Sequence, residues 1–282
     1  MINYLKSIRN FFSLNLFSNT LGFKNISFYL FYLFAKTFFI FQKKKIKKEI
    51  ANKFDESGYI LLDNIDVNDI SIKINELFFD QNNYSEPLKG YKFLKTSVVK
   101  NLNQEVADIV LKIQDQIESI FKSNFKIYFT NIQRSFPVHN NIEKEAQLFH
   151  FDDNPIGTKK IFIYLTDQYQ DSGAFRTFDK KISDLLKKKG FLSYTTEIRE
   201  NCQNLAQSLS EDNLKIQSGK KGTVMCFDNN LIHKATLPKN GYRDLIVMEV
   251  FPAFKEINSK NISKSLSMSL EEPDYPRWPF FK

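Results

Sequence analysis

Gln147-Leu148-Phe149-His150-Phe151-Asp152-Asp153 contains one of only three histidines in a chain of 282 residues. If the stretch is a strand, residues two apart project from the same face, so His150 and Asp152 present an imidazole and a carboxylate to one point. A second histidine, His233, sits in Leu231-Ile-His-Lys-Ala235, and Arg243 follows it by ten positions. Acids make up 32 of the 282 residues, so a histidine followed two places on by an acid means little alone. The pairing gains weight because the segments around it read as strands.

Working outward, the segments Phe125–Phe136, Gln147–Phe151, Lys160–Leu165, Ala174–Phe178, Lys215–Ser218, Thr223–Phe227, Ile232–Thr236 and Arg243–Phe251 are short and rich in β-branched and aromatic residues. Turn sequences separate them, at Asp171-Ser-Gly, Gly219-Lys-Lys-Gly and Asn240-Gly. About eight such strands predict an α+β fold with a mainly β core, a barrel or jelly roll made from two sheets. Helices precede it. Glu49–Ser57 reads as a short helix ended by Gly58, and Tyr59–Ile65 as a strand. Asp66 caps a helix running to Phe79, and Glu105–Lys122 is strongly amphipathic. Residues 80–103 read as a polar loop. An insertion at about 179–213 has helical character and is expected over the mouth of the barrel. The chain thus divides into residues 1–50, a domain at 51–255 and a tail at 256–282.

Length and 42% apolar content allow one domain with a proper core. The two cysteines, Cys202 and Cys226, cannot build a disulfide framework, and Cys226 reads as a small core residue; this usage fits a reducing compartment. The formal charge of +8 is unevenly spread. Residues 1–50 contain nine basic side chains and one acid, which leaves 31 of each sign in residues 51–282. The body of the protein has no electrostatic reason to bind nucleic acid.

Residues 1–50 also hold ten phenylalanines and three tyrosines. The apolar run 26–41 is sixteen residues long and broken by Lys36, short of the roughly 20 that a bilayer span needs. No small-residue cleavage site follows it, so a secretory signal fits poorly. Two readings remain: an anchor at an anionic membrane surface, with Lys43–Lys48 against the lipid, or a helical hairpin packed on the domain. The location expected is cytoplasmic, peripheral at the inner membrane surface if the anchor holds.

His150, Asp152 and His233 would complete one triangular face of an octahedron. Three protein ligands with three open positions suit Fe(II), which must accept both a co-substrate and oxygen. Catalytic zinc usually keeps a single open position. Arg243 opens an apolar strand, where an unpaired charge is very costly; a carboxylate would satisfy it through two parallel hydrogen bonds.

Residues 52–252 resemble the phytanoyl-CoA dioxygenase-like group of Fe(II)/2-oxoglutarate-dependent oxygenases. The likeness rests on Gly58-Tyr-Ile-Leu-Leu-Asp63, His150-Phe-Asp152, Lys160-Ile-Phe-Ile-Tyr-Leu-Thr-Asp167, Asp171-Ser-Gly-Ala-Phe175, Gly222-Thr-Val-Met-Cys-Phe-Asp228, and His233 with Arg243. The resemblance implies a double-stranded β-helix in which His150, Asp152 and His233 ligate iron and Arg243 binds the distal carboxylate of 2-oxoglutarate. It implies a reaction that consumes O2 and 2-oxoglutarate and usually hydroxylates an unactivated carbon. Related halogenases have a small residue in place of the carboxylate, so Asp152 favours hydroxylation or desaturation. Where many members continue with Pro-Gly-Ser-His, this chain reads Arg176-Thr-Phe-Asp179, so the substrate class does not transfer. A small molecule, a lipid or a lipid-linked saccharide remains open.

Further candidates surround this set. Gln133 or Arg134 is placed to meet the 2-oxoglutarate carboxylate or the substrate. Tyr164 and Thr166 share a parity and are candidates to hydrogen-bond the co-substrate. His139 reads as a bystander, Asp153 as facing away from the ligands, and Arg176 as either a contact for an anionic substrate or a surface ion pair. Two other functions fit part of the pattern: a cupin-like metal enzyme that does not use 2-oxoglutarate, and a non-catalytic jelly-roll binding protein.

Overall fold

A computed structural model describes residues 22–258 and 262, apart from 43, 63, 86–89, 140–141, 153, 155–156 and 194–195. Most of the tail, and Asp153, therefore lie outside the described residues. In chain order the elements are α1 (Gly22–Phe41), α2 (Lys48–Ser57), β1 (Tyr59–Leu62), α3 (Asn68–Leu77), β2 (Tyr91–Phe93), α4 (Thr96–Lys100), α5 (Asn103–Phe121), β3 (Asn124–Ser135), β4 (Lys159–Tyr164) and β5 (Phe175–Thr177). There follow α6 (Lys180–Lys188), α7 (Thr196–Gln207), α8 (Ser210–Asn213), β6 (Lys215–Gln217), β7 (Val224–Asp228), β8 (His233–Lys234) and β9 (Arg243–Ala253). A six-stranded sheet, in the order β1-β7-β4-β9-β3-β2, faces a three-stranded one, β6-β5-β8. Every strand pairing within them is antiparallel. This is the two-sheet jelly roll expected from the strand pattern.

The large sheet is buried on both sides, and that explains its continuous apolar runs. One parity of β4, β7 and β9 (Ile161, Ile163, Val224, Cys226, Ile246, Met248, Val250) packs with Val106, Ile109, Val110, Ile113 and Ile117 of α5. The other parity (Phe162, Tyr164, Met225, Phe227, Leu245, Val247) meets Phe175 of the small sheet. Period two in the strands and a 3.6-residue stripe in the helix thus meet across one interface.

β3 contains the irregularity that matters most. Its register against β9 shifts between Ile127 and Phe129, where Ile127 opposes Val250 and Phe129 opposes Glu249. Tyr128 is the extra residue of a β-bulge, which reverses the parity beyond it. Phe125 and Ile127 face the helices, as does Ile132, whereas Phe129, Asn131 and Gln133 turn toward the space between the sheets. Without the bulge those three would point the other way.

Two expectations need correction. Gln147–Phe151 is not a strand. Glu145–Gln147 forms a 3-10 turn, and of the five residues 147–151 only His150 forms a β-bridge. Residues 80–103 are not simply a loop. They contain β2, which hydrogen-bonds to the edge of β3, and α4; three residues in polar surroundings are too few to show a period.

α1 packs on the domain. Phe28 and Phe31 join Tyr128 and Phe251 in a cluster, and the Tyr32 hydroxyl donates to the Phe121 carbonyl at 3.1 Å. Each phenylalanine buried in this way contributes roughly 1.5–3 kcal/mol. Lys44 ties the following segment down through Glu118 and Glu256 at 2.9 and 2.7 Å. The opposite side of α1 presents Leu33, Ile40 and Phe41 to solvent, the last 78% exposed. No helix among the described residues is long and apolar enough to cross a membrane.

Candidate metal centre

His150 and His233 are direct cross-strand partners. The amide of each donates to the carbonyl of the other, at 2.9 and 2.8 Å. This pairing places the two rings 4.3 Å apart. Two residues on, the Asp152 amide donates to the Asn229 carbonyl at 3.0 Å, which anchors that end of the segment. The expectation that residues 150 and 152 project together is met by extended backbone anchored at these two points.

Both imidazoles are oriented in the same way. His150 Nδ1 lies 2.8 Å from the Leu148 carbonyl and His233 Nδ1 2.8 Å from the Leu231 carbonyl. A carbonyl only accepts, so Nδ1 is the protonated nitrogen of each ring and Nε2 keeps its lone pair. Those Nε2 atoms point at Asp152, at 3.7 Å for His150 and 3.6 Å for His233. Donors sharing an ion at about 2.1 Å can be no more than about 4.2 Å apart, so both distances fit. The three donors all lie within 4.8 Å of one another. Burial pushes the His233 pKa down to about 4 and that of His150 well below its usual value. Both rings are therefore neutral near pH 7, the state a metal requires. The donor set, two neutral imidazoles and one carboxylate on one side of a cleft, fits a non-heme iron site.

Asp152 stays ionised. Burial alone would raise its pKa, but the Lys160 ammonium 2.7 Å away outweighs that, and the carboxyl is held well below the usual range. Lys160 also reaches Glu249 at 3.1 Å, and Glu249 accepts a hydrogen bond from Tyr128. A line of charge thus runs from the bulge residue of β3 to the candidate ligand. Neither Lys160 nor Glu249 stood out in the sequence. The signal was available in parity, since a charged residue alternating with apolar ones on a two-sided buried strand must find a partner.

A cleft of about 230 Å³ lies beside the three donors and is lined by both histidines. Gln133 and Arg243 also line it. Tyr164 and Thr166 do not: the Tyr164 hydroxyl donates to the Gln217 carbonyl at 2.9 Å, and Thr166 Oγ1 accepts from the Asp244 amide at 3.1 Å. Arg134 sits on the helix side, in a two-pronged ion pair with Asp244 at 2.7 and 2.6 Å. His139 is exposed, and Arg176 on β5 does not line the cleft. β2 supplies two lining residues missed in the sequence, Tyr91 and Phe93.

Arg243 is 2% exposed. Its Nε donates to Ser135 Oγ at 3.0 Å and its Nη1 to the Gly173 carbonyl. Gly173 can deliver that carbonyl because it adopts φ +82°, and a Cβ there would lie 2.7 Å from the Pro238 nitrogen. No carboxylate pairs with Arg243 among the described residues. The Tyr91 hydroxyl and Asn131 Oδ1, buried in the same cleft, also have no hydrogen-bond partner there. A buried cation with donors left over, beside an unused hydroxyl, calls for an anionic ligand.

No protein-family model matches the chain, and no curated protein sequence does. Its fold does have counterparts among solved structures. The non-heme alpha ketoglutarate dependent carbocyclase SnoK from nogalamycin biosynthesis is 12% identical, with a TM-score of 0.55 over 74% of this chain and 85% of that one. The epimerase SnoN, solved with Fe3+, alpha ketoglutarate and nogalamycin RO, is also 12% identical, with a TM-score of 0.53 over 73% and 83%. At such identity the likeness is one of fold: this chain shares the jelly roll of its iron- and 2-oxoglutarate-dependent structural neighbours.

Proposed function

We propose that this chain is a non-heme Fe(II)/2-oxoglutarate-dependent oxygenase of the phytanoyl-CoA dioxygenase-like kind. The observation that carries the reading is the convergence of His150, Asp152 and His233 beside a buried arginine without a carboxylate partner, in one cleft. His150 and His233 offer Nε2 and Asp152 a carboxylate oxygen to the iron, and Lys160 steadies that carboxylate. Arg243, held by Ser135 and Gly173, receives the distal carboxylate of 2-oxoglutarate, with the Tyr91 hydroxyl as an added donor. Phe162, Phe175 and Val247 give the cleft an apolar wall that excludes water. When bound, Fe(II) couples the oxidative decarboxylation of 2-oxoglutarate by O2 to oxidation of the substrate. Because a carboxylate occupies the third ligand position, hydroxylation is the outcome we favour. The test is anaerobic addition of 2-oxoglutarate to the Fe(II)-loaded protein, which is expected to produce a visible charge-transfer band. A loaded protein that shows no band would refute the reading.

For the substrate we propose a small molecule, with a lipid or lipid-linked saccharide favoured by the position of α1. Phe129 lines the cleft and also packs against the cluster that seats α1, so the helix sits behind one wall of the cleft. Lys45, Lys47 and Lys48 are exposed just beyond the helix, where anionic headgroups would meet them. The full-length protein is expected to sediment with phosphatidylserine-containing vesicles. The triple substitution Leu33→Glu, Ile40→Glu, Phe41→Glu, which spares the packed side, is expected to stay in the supernatant. Equal partitioning of the two proteins would remove membrane contact from the proposal.

A further inference from the structure

The helical insertion does not sit over the cleft. None of its described residues lines that space; α6 and α7 pack instead behind the segments that present the three candidate ligands. Residues 148–152 have a partner strand on one edge only, because His150 pairs with His233 and leaves the backbone groups of Phe149 and Phe151 facing the other way. Two side chains from the insertion occupy that second edge. The Gln203 carboxamide accepts from the Phe149 amide at 2.8 Å and donates to the Phe149 carbonyl at 3.0 Å. The Ser193 hydroxyl accepts from the Phe151 amide at 3.0 Å and donates to the Phe151 carbonyl at 2.8 Å. Gln203 is itself pinned by the Arg199 carbonyl at 2.7 Å. Beside the other histidine, Ser183 Oγ accepts from the Ile232 amide at 3.0 Å. Phe149, Phe151 and Ile232 bury their side chains with Phe178, Leu186 and Phe191 in one cluster.

We propose that the insertion is a clamp: Gln203 and Ser193 stand in for a missing neighbouring strand and are positioning residues for His150 and Asp152, as Ser183 is for His233. A segment with a partner on one edge only would be free to rotate or slip by one residue, and a one-residue slip turns both ligands away from the cleft. Four backbone hydrogen bonds from behind prevent it. The proposal rests on the reading of His150, Asp152 and His233 as metal ligands.

The experiment is Co(II) titration of the full-length protein, followed by calorimetry and by the visible cobalt spectrum well below the melting temperature. Wild type and an exposed control in the same insertion, Lys188→Ala, are expected to bind alike, and His150→Ala is expected to bind far more weakly. Gln203→Leu with Ser193→Ala is expected to weaken Co(II) about ten- to a hundredfold, as loss of a ligand's supporting contacts does, and to change the spectrum. Gln203→Glu, which keeps the acceptor for the Phe149 amide, is expected to fall between. Ser193→Ala alone deletes one hydroxyl and carries the test if the double variant fails to fold. A folded clamp variant with wild-type affinity and spectrum would overturn the clamp and leave the metal reading standing. A wild type that does not bind Co(II) at this site would overturn both.

Discussion

His233→Ala is expected to abolish the Fe(II)–2-oxoglutarate charge-transfer band and to cut succinate formation more than a hundredfold. The magnitude follows from the position of the residue. Loss of an outer partner of a metal ligand already costs about 10- to 100-fold, and His233 is proposed as a ligand itself. Its ring leaves no substitute behind, because the neighbouring groups are Phe175 and Phe227, which have no lone pairs to offer. The backbone bridge to His150 needs no side chain, so the fold is expected to survive, and circular dichroism of the variant would confirm that. Asp152→Ala is expected to match it in activity while adding a structural cost, because Lys160 would lose its nearer carboxylate. Wild-type succinate formation in either variant would refute the assignment.

Arg243→Met is expected to separate binding from folding. A buried guanidinium meeting a carboxylate through charge-assisted hydrogen bonds is worth about 3 kcal/mol or more, so the KM for 2-oxoglutarate should rise on the order of a hundredfold. Without co-substrate, the same substitution is expected to leave the melting temperature near or above that of the wild type. It removes a buried charge that has no carboxylate partner among the described residues and puts an apolar chain of similar length in its place. Conversely, 2-oxoglutarate should raise the melting temperature of the Fe(II)-loaded wild type but not that of the variant. Arg243→Lys is not expected to restore function, since one ammonium cannot meet Ser135, Gly173 and a carboxylate with the fixed geometry of a guanidinium. Unchanged succinate formation in Arg243→Met would remove Arg243 as the partner of the co-substrate, and a wild type that forms no succinate from 2-oxoglutarate would make the cupin-like alternative the better reading.

The residues differ in how far the sequence alone announces them. His150, Asp152, His233 and Arg243 are rare or costly types set in apolar stretches, and such residues need a reason that spacing can supply. The sequence offers Gln133 and Arg134 equally, and only the structure separates them: Gln133 faces the cleft, Arg134 faces Asp244. Tyr164 ends β4 and Thr166 lies just beyond it, and their hydroxyls are engaged with the Gln217 carbonyl and the Asp244 amide. Parity gives the face of a sheet; it says nothing of which acceptor a hydroxyl reaches first.

Hydrophobic period, turn residues and charge balance, read along the chain, were enough to yield the two-sheet architecture, the amphipathic helix α5, the helical nature of the insertion and a short set of chemically expensive side chains. Those signals are local, and they act through neighbours within a few residues. Tertiary structure alone decided the bulge at Tyr128 that turns Phe129, Asn131 and Gln133 inward, the ammonium of Lys160 on Asp152, and the packing of the insertion behind the histidines. Each of these depends on pairing across dozens of residues, where a shift of one position in register changes which side chains meet, so no local pattern names the partner.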